Sequence, residues 1–245
     1  MGTLARTALD AHVSEALDAH GYVAGTLDSE LDPPLTEDPS WGEFVDGWNR
    51  LPVDRYMADG GTYRLRRFSE FYCDSETGEV TRRPHRTFSQ PRDVNYLNGG
   101  VERLFEPLQP ATAASPVLRR ILTWCVRGFT GIHGSGVWHA ICFQNRTLAR
   151  PDEPGEPAPE GVHQDGMDYN VIVLVDRHAV DGGANTIYSA ETREPTFDVL
   201  LSEPGDFLLN DDRATLHSAT PVMLRDTAAR GYRDAFVVSF DRVID

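Results

Sequence analysis

The stretch YNVIVLV, residues 169–175, is the longest strand-like run in the chain, and Val171–Val175 is its longest unbroken apolar segment. Five apolar residues are far too few to cross a bilayer, so the run belongs in the core of a sheet. Comparable short runs surround it: Val137–Phe143 upstream, then Thr186–Tyr188, Asp206–Leu209 and Ala235–Phe240, separated by Gly, Pro and Asp clusters. Many short strands punctuated by turns predict a sandwich or barrel.

Outward from that region the texture changes. Residues 62–82 predict two antiparallel strands, because aromatic-rich YRLRRFSEFY is followed by the turn residues of CDSETGEV (73–80). Val117, Leu118, Ile121, Leu122, Cys125 and Val126 fall at helical spacing behind Ser115-Pro116, predicting a helix over 115–128 that packs outside a sheet. Leu4, Leu9, Val13 and Leu17, with Gly21 as the stop, predict an amphipathic helix over 3–20, and a second short one is expected around Trp41–Trp48. Residues 149–161, ARPDEPGEPAPEG, read as a surface loop or lid.

Composition narrows the function. With 23 basic and 38 acidic residues the net charge is −15, so nucleic acid and anionic membrane are poor partners. Every basic residue is arginine, which excludes Schiff-base and lysine general-base chemistry. The three cysteines, Cys73, Cys125 and Cys142, contain no CxxC pair and suit a reducing compartment. The first residues, MGTLARTALDAHV, lack the apolar run of a secretory signal, so a cytoplasmic location is expected.

The chemistry-bearing residues are His163-Gln164-Asp165, in PEGVHQDG (159–166), and His217, at the end of GDFLLNDDRATLH (205–217). Alone the first is weak, since about one H-x-[DE] is expected by chance in a chain of this composition. With His217 it offers two imidazoles and a carboxylate, the facial triad of non-haem Fe(II) oxygenases; a tetrahedral zinc site with the same ligands is the alternative. The run Asn210, Asp211 and Asp212 reads as turn formation with no metal role.

Several separate blocks, in order, carry a resemblance: YRLRRF (63–68), the RRPHR segment (82–86) with Gln90, NGGVERLFEPL (98–108), PEGVHQDG, VDGGANTIY (180–188), PGDFLLNDDRATLHSATPV (204–222) and GYRDAFVVSFD (231–241). Over about residues 60–242 the chain resembles the bacterial 2-oxoglutarate/Fe(II) dioxygenases that include L-isoleucine hydroxylases. The resemblance implies a mainly β fold with flanking helices, a double-stranded β-helix (jelly roll, cupin-like). It is expected as a single domain over 1–245, with 1–60 a helical cover and 61–245 the core. It further implies His163, Asp165 and His217 as catalytic iron ligands, with Fe(II), 2-oxoglutarate and O2 as cofactor and cosubstrates. Related halogenases lack the carboxylate that Asp165 provides here, so hydroxylation of a free amino acid or amino-acid-like metabolite is expected, with succinate and CO2 as co-products.

A 2-oxoglutarate site needs a cation for the distal carboxylate, and arginine's planar fork suits it. Arg225, Arg230 and Arg233 follow His217; Arg233 is preferred because residues 233, 235, 237 and 239 share one face of the last strand. Ser239 on that face can add a hydrogen bond. For a zwitterionic substrate, Arg66 and Glu160 are the candidates for carboxylate and amine, with a solvated surface role as the alternative for each. Trp138 and His139, in a strand that departs from the arginine-containing pattern of close relatives, are expected to reshape the substrate pocket. The competing functions are a zinc- or manganese-dependent isomerase or hydrolase on the same fold, and a metal-free module that merely binds a metabolite.

Overall fold

The computed structural model describes residues 8–92, 99–151, 153–225 and 228–244. In chain order, α1 (Ala8–His20) leads into β1 (Tyr22–Thr26), α2 (Leu27–Glu30) and α3 (Trp41–Asp46). The hairpin β2 (Arg64–Asp74) and β3 (Val80–Arg82) follows, then α4 (Pro110–Ala113) and α5 (Pro116–His133). The remainder is strand: β4 (Val137–Ala149), β5 (Tyr169–His178), β6 (Val180–Gly182), β7 (Asn185–Ser189), β8 (Pro195–Val199), β9 (Asp206–Asp211), β10 (Thr215–Ala219), β11 (Val222–Leu224) and β12 (Gly231–Arg242).

These strands build a jelly roll from a seven-stranded sheet, ordered β1-β9-β5-β12-β4-β2-β3, and a smaller sheet, β10-β7-β8, with β11-β6 as a separate pair. Alternation along each strand divides the large sheet into two faces. In β12, Phe236, Val238 and Phe240 join Trp138, Ala140 and Cys142 of β4 in the main core under the helices. Arg233, Ala235, Val237 and Ser239 point the other way, into a cleft roofed by the small sheet. Two further apolar clusters flank that cleft: Phe68, Phe88, Phe105 and Phe143 on one side, and Leu174, Ile187, Leu201 and Leu208 on the other.

The helix α5 covers the large sheet for local reasons. Pro116 sits in its first turn, where its missing N–H costs nothing, and the Ser115 hydroxyl accepts from the Val117 N–H. Its apolar stripe runs on through Phe129, so the helix continues one turn beyond the expected end at 128. Gly128 lies under α1: a Cβ there would meet Val13 Cγ1 at 2.7 Å, and the close approach lets Ser14 Oγ donate to the Gly128 carbonyl at 2.6 Å. Gly21, at φ +76°, ends α1 as expected; the proposed start of that helix at residues 3–7, including Leu4, lies outside the described residues.

One expectation about the cover needs correction. Residues 1–60 are not a purely helical cover, because β1 pairs with β9 as an edge strand of the large sheet, Tyr22 opposite Asn210 through Thr26 opposite Asp206. Five residues containing Gly25 carry too little alternation to be seen in sequence, and it is the sheet edge that makes them a strand. The described part of 149–161, expected as a surface loop or lid, lies against the jelly roll and sends Pro157, Ala158 and Glu160 to the cleft. Gly155 exchanges backbone hydrogen bonds with Val222 at 2.9 and 2.8 Å, and its missing side chain allows close approach to the Leu148 carbonyl.

Candidate active site

Backbone pairing brings the two histidines together. The His163 N–H donates to the His217 carbonyl at 3.0 Å and the His217 N–H returns a bond of 2.9 Å, so the residues stand opposite each other as in an antiparallel ladder. Their rings lie 4.4 Å apart, centre to centre. Asp165 completes the group, Oδ1 at 3.8 Å from His163 Nε2 and Oδ2 at 3.6 Å from His217 Nε2. One ligand-capable atom from each residue falls within 4.8 Å of the others. The H-x-D segment thus occupies the loop before β5 rather than the strand itself.

The surroundings of each histidine decide how it is presented. His163 Nδ1 lies 2.9 Å from the Gly161 carbonyl, which can only accept, so Nδ1 carries a proton and Nε2 is the nitrogen on the Asp165 side. Burial and then the neighbouring His163 push His217 down to about 4, against the pull of Asp165, so its imidazole is uncharged at neutral pH. Two imidazole nitrogens and a carboxylate suit a ferrous ion with open positions.

The loop bearing Asp165 is held from below by Asp212, which the sequence reading had assigned to turn formation only. Asp211 does serve the turn, accepting from the N–H groups of Arg213 and Ala214. Asp212, 1% exposed, instead accepts from the backbone N–H of Asp165 at 3.1 Å, Gly166 at 2.7 Å and Met167 at 3.0 Å, and from Asn170 Nδ2 at 2.7 Å. Burial, then Asp165, push its pKa up to about 6 against those donors. Asp212→Ala would leave these donors without their acceptor at about 1–3 kcal/mol for each unsatisfied group. A net loss of roughly 3 kcal/mol or more of folding stability is expected in chemical denaturation, and an unchanged unfolding midpoint would contradict it.

Across the cleft, Arg233 is 4% exposed, and its Nε and Nη2 have no hydrogen-bond partner among the described residues. Burial and the nearby Arg177 lower its pKa only to about 10, so it stays charged. Gly183 at φ +71° leaves room for its stem, with Arg233 Cδ 3.0 Å from where a Cβ would stand. Ser239 lines the same cleft, as does Asn185, buried on β7 with Nδ2 unpartnered, which sequence reasoning missed. The other two candidates are elsewhere: Arg225 is exposed and pairs with Asp181 at 2.9 Å, and Arg230 is exposed.

The β2 side of the cleft is cationic. Arg64, Arg66 and Arg103 are all buried and line it, with Glu160 half-buried nearby. Arg103, on the segment after Gly99, was not singled out in the sequence. Trp138 and His139, by contrast, do not line this cleft. Trp138 faces the opposite side and is wholly buried in the main core, while His139 bonds Glu70 at 2.9 Å beyond the cleft's end. Strand alternation gives the lining of β4 to Ile141, Phe143, Asn145 and Thr147.

A jelly roll whose cleft sets two histidines and an aspartate against a buried, unpartnered arginine is the architecture of a non-haem iron dioxygenase. Residues 46–239 match the 2OG-Fe dioxygenase family, and the chain belongs to it. That family uses Fe(II), 2-oxoglutarate and O2, and the donor set and the orphaned Arg233 fit such a group. Among solved structures, a bsmA homolog from Methylobium petroleophilum PM1 is 29% identical, with a TM-score of 0.83 over 95% of this chain and 92% of that one. IDO from Bacillus thuringiensis shares the fold at 16% identity, with a TM-score of 0.78 over 96% and 100% of the two chains. The Fe(II)/(alpha)ketoglutarate-dependent dioxygenase TqaL does so at 18%, with a TM-score of 0.75 over 97% and 89%. No curated protein matches the sequence significantly. The family match does not favour the zinc/manganese or the non-catalytic reading. Among the described residues no helix is long and apolar enough to cross a membrane.

Proposed function

We propose that this enzyme hydroxylates a free amino acid or a similarly small amino-acid-like metabolite. In this reading His163, Asp165 and His217 hold the ferrous ion, Arg233 with Ser239 holds the distal carboxylate of 2-oxoglutarate, and Arg66 and Glu160 face the substrate. The observation that carries it is the buried Arg233 fork, unpartnered and in the same cleft as the triad. Nitrogens held out of water without an acceptor are costly unless a ligand supplies one, and a carboxylate matches their geometry.

Iron and 2-oxoglutarate, when bound, supply oxygen activation for insertion into a C–H bond, with succinate and CO2 as co-products. The chain's own share is positional. Asp165 and the two imidazoles would set the metal's protein face, Arg233 would fix the far end of the cosubstrate, and Ile141, Phe143, Ile172 and Val237 line an apolar wall that excludes water. The test is a screen of the free amino acids with Fe(II), 2-oxoglutarate and O2, following product mass. A product heavier by one oxygen, formed with stoichiometric succinate, is expected for at least one of them; succinate release indifferent to every amino acid would overturn the substrate class.

A further inference from the structure

The cationic wall of the cleft carries more positive charge than the described residues facing it balance by close pairing. Asp54, 3% exposed, accepts from Arg64 Nε at 3.0 Å through Oδ2 and from the Tyr56 N–H at 2.9 Å through Oδ1. Arg66 Nε approaches the same Oδ2 at 3.2 Å but is not aligned for a hydrogen bond. Arg103 gives Nη2 to Gln90 Oε1 at 3.0 Å, a neutral acceptor, and its Nε is likewise unsatisfied. Arg64 and Arg66 therefore share the single carboxylate of Asp54, and Arg103 has no ion-pair partner among the described residues.

Their surroundings fix how they can be used. The Arg66 guanidinium stands 5.2 Å from the Phe105 ring centre and 5.1 Å from that of Phe143; Arg103 stands 4.8 Å from Phe88 and 5.8 Å from Phe105. Phe105 thus lies between the two cations. Aromatic faces take up a guanidinium's flat sides and leave its in-plane N–H groups for a ligand. Arg103 is also held by backbone, exchanging bonds of 2.9 and 2.8 Å with Phe88. In the sheet, Arg66 is opposite Asn145 and Asn145 opposite Ala235, so Arg66 sits two strands from the strand of Arg233, roughly 10 Å away. One cleft therefore offers two separate places for carboxylates.

We infer that Arg66 and Arg103 form a clamp for the substrate's carboxylate, so that the enzyme acts on the free acid and not on an ester, amide or carrier-linked form. This rests on the proposed reading of the cleft as a hydroxylase site, and it adds Arg103 and a free-acid requirement to it. Three buried cations with one close carboxylate, Asp54, among the described residues leave a surplus of charge that an arriving carboxylate offsets, while a neutral ester offers neither charge nor a two-oxygen edge. The competing arrangement is internal neutralisation by Glu160, whose charge acts on both arginines.

The experiment is anaerobic calorimetry on the Fe(II)- and 2-oxoglutarate-loaded enzyme, comparing wild type, Arg66→Gln and Arg103→Gln. The probes are the free amino acids, their methyl esters, and the matched carboxylic acids lacking the amine. A charged hydrogen-bonded contact should make an acid bind about ten- to a hundred-fold tighter than its ester in wild type. That preference should collapse to within about threefold in both variants while 2-oxoglutarate affinity holds, which also reports that they are folded. Equal binding of acid and ester by wild type would mean that Glu160 already neutralises the arginines, and would overturn the clamp. So would a preference that survives both substitutions. If amine-free acids bind with the same dependence on the two arginines but no amino acid does, the amino-acid reading falls and the clamp stands. If neither class binds, the clamp falls.

Discussion

Alanine in place of His163, Asp165 or His217 is expected to remove ferrous-iron binding and turnover together. Two remaining donors cannot hold a labile divalent ion well. Removing a group that merely orients a ligand already costs about ten- to a hundred-fold in metal affinity, so losing a ligand should exceed about a hundred-fold. The substitutions should leave the fold standing, because the contact between residues 163 and 217 is made by main-chain atoms that alanine retains. Anaerobic metal titration beside circular dichroism separates the effects. A folded variant with near-wild-type metal affinity and activity, at any of the three positions, would remove that residue from the metal site.

For Arg233→Gln the expected change is an apparent 2-oxoglutarate affinity weaker by about ten- to a hundred-fold, equivalent to roughly 1.5–3 kcal/mol for a charged hydrogen-bonded contact. Glutamine keeps one donor group but loses the charge and the two-pronged fork. Arg225→Gln and Arg230→Gln serve as controls, since both side chains are exposed and outside the cleft. The readout is the iron-to-oxoacid charge-transfer absorbance under anaerobic titration. A large loss in either control with none in Arg233→Gln would move the cosubstrate site to the other end of the 225–233 segment, and no loss in any would put the cosubstrate's anchor outside these arginines.

What the sequence made legible is local. The 233, 235, 237, 239 alternation depends only on the two-residue period of a strand, and all four side chains do line the cleft. The hairpin of β2 and β3 was readable because Asp74 and Gly78 shape its turn within a few residues: Asp74 accepts from Glu76 and Thr77, and Gly78 takes φ +71°. Asp212 was not readable, since its neighbour Asp211 has the same chemistry and does make the expected turn. Only the return of the 165–170 loop over the end of β9 tells the two carboxylates apart. Arg103 was hidden for a similar reason: what aims it into the cleft is its pairing with Phe88 and the ring of Phe105, both products of tertiary folding. Trp138 misled because strand parity, and not a departure from the pattern of relatives, decides which side chains face a cavity.

The reciprocal main-chain pairing of His163 with His217 also determines how the cleft can breathe. Two ligands on independent loops would drift apart whenever the sheets separate, changing the bite of the metal site with every fluctuation. Here a bond in each direction ties the loop before β5 to β10, so the histidines travel as a unit and their spacing is insulated from that motion. On the opposite wall the Phe88 and Arg103 segments are joined to each other, and they reach the 163–165 loop through a side chain, Gln90 Nε2 to the Asp165 carbonyl at 3.5 Å.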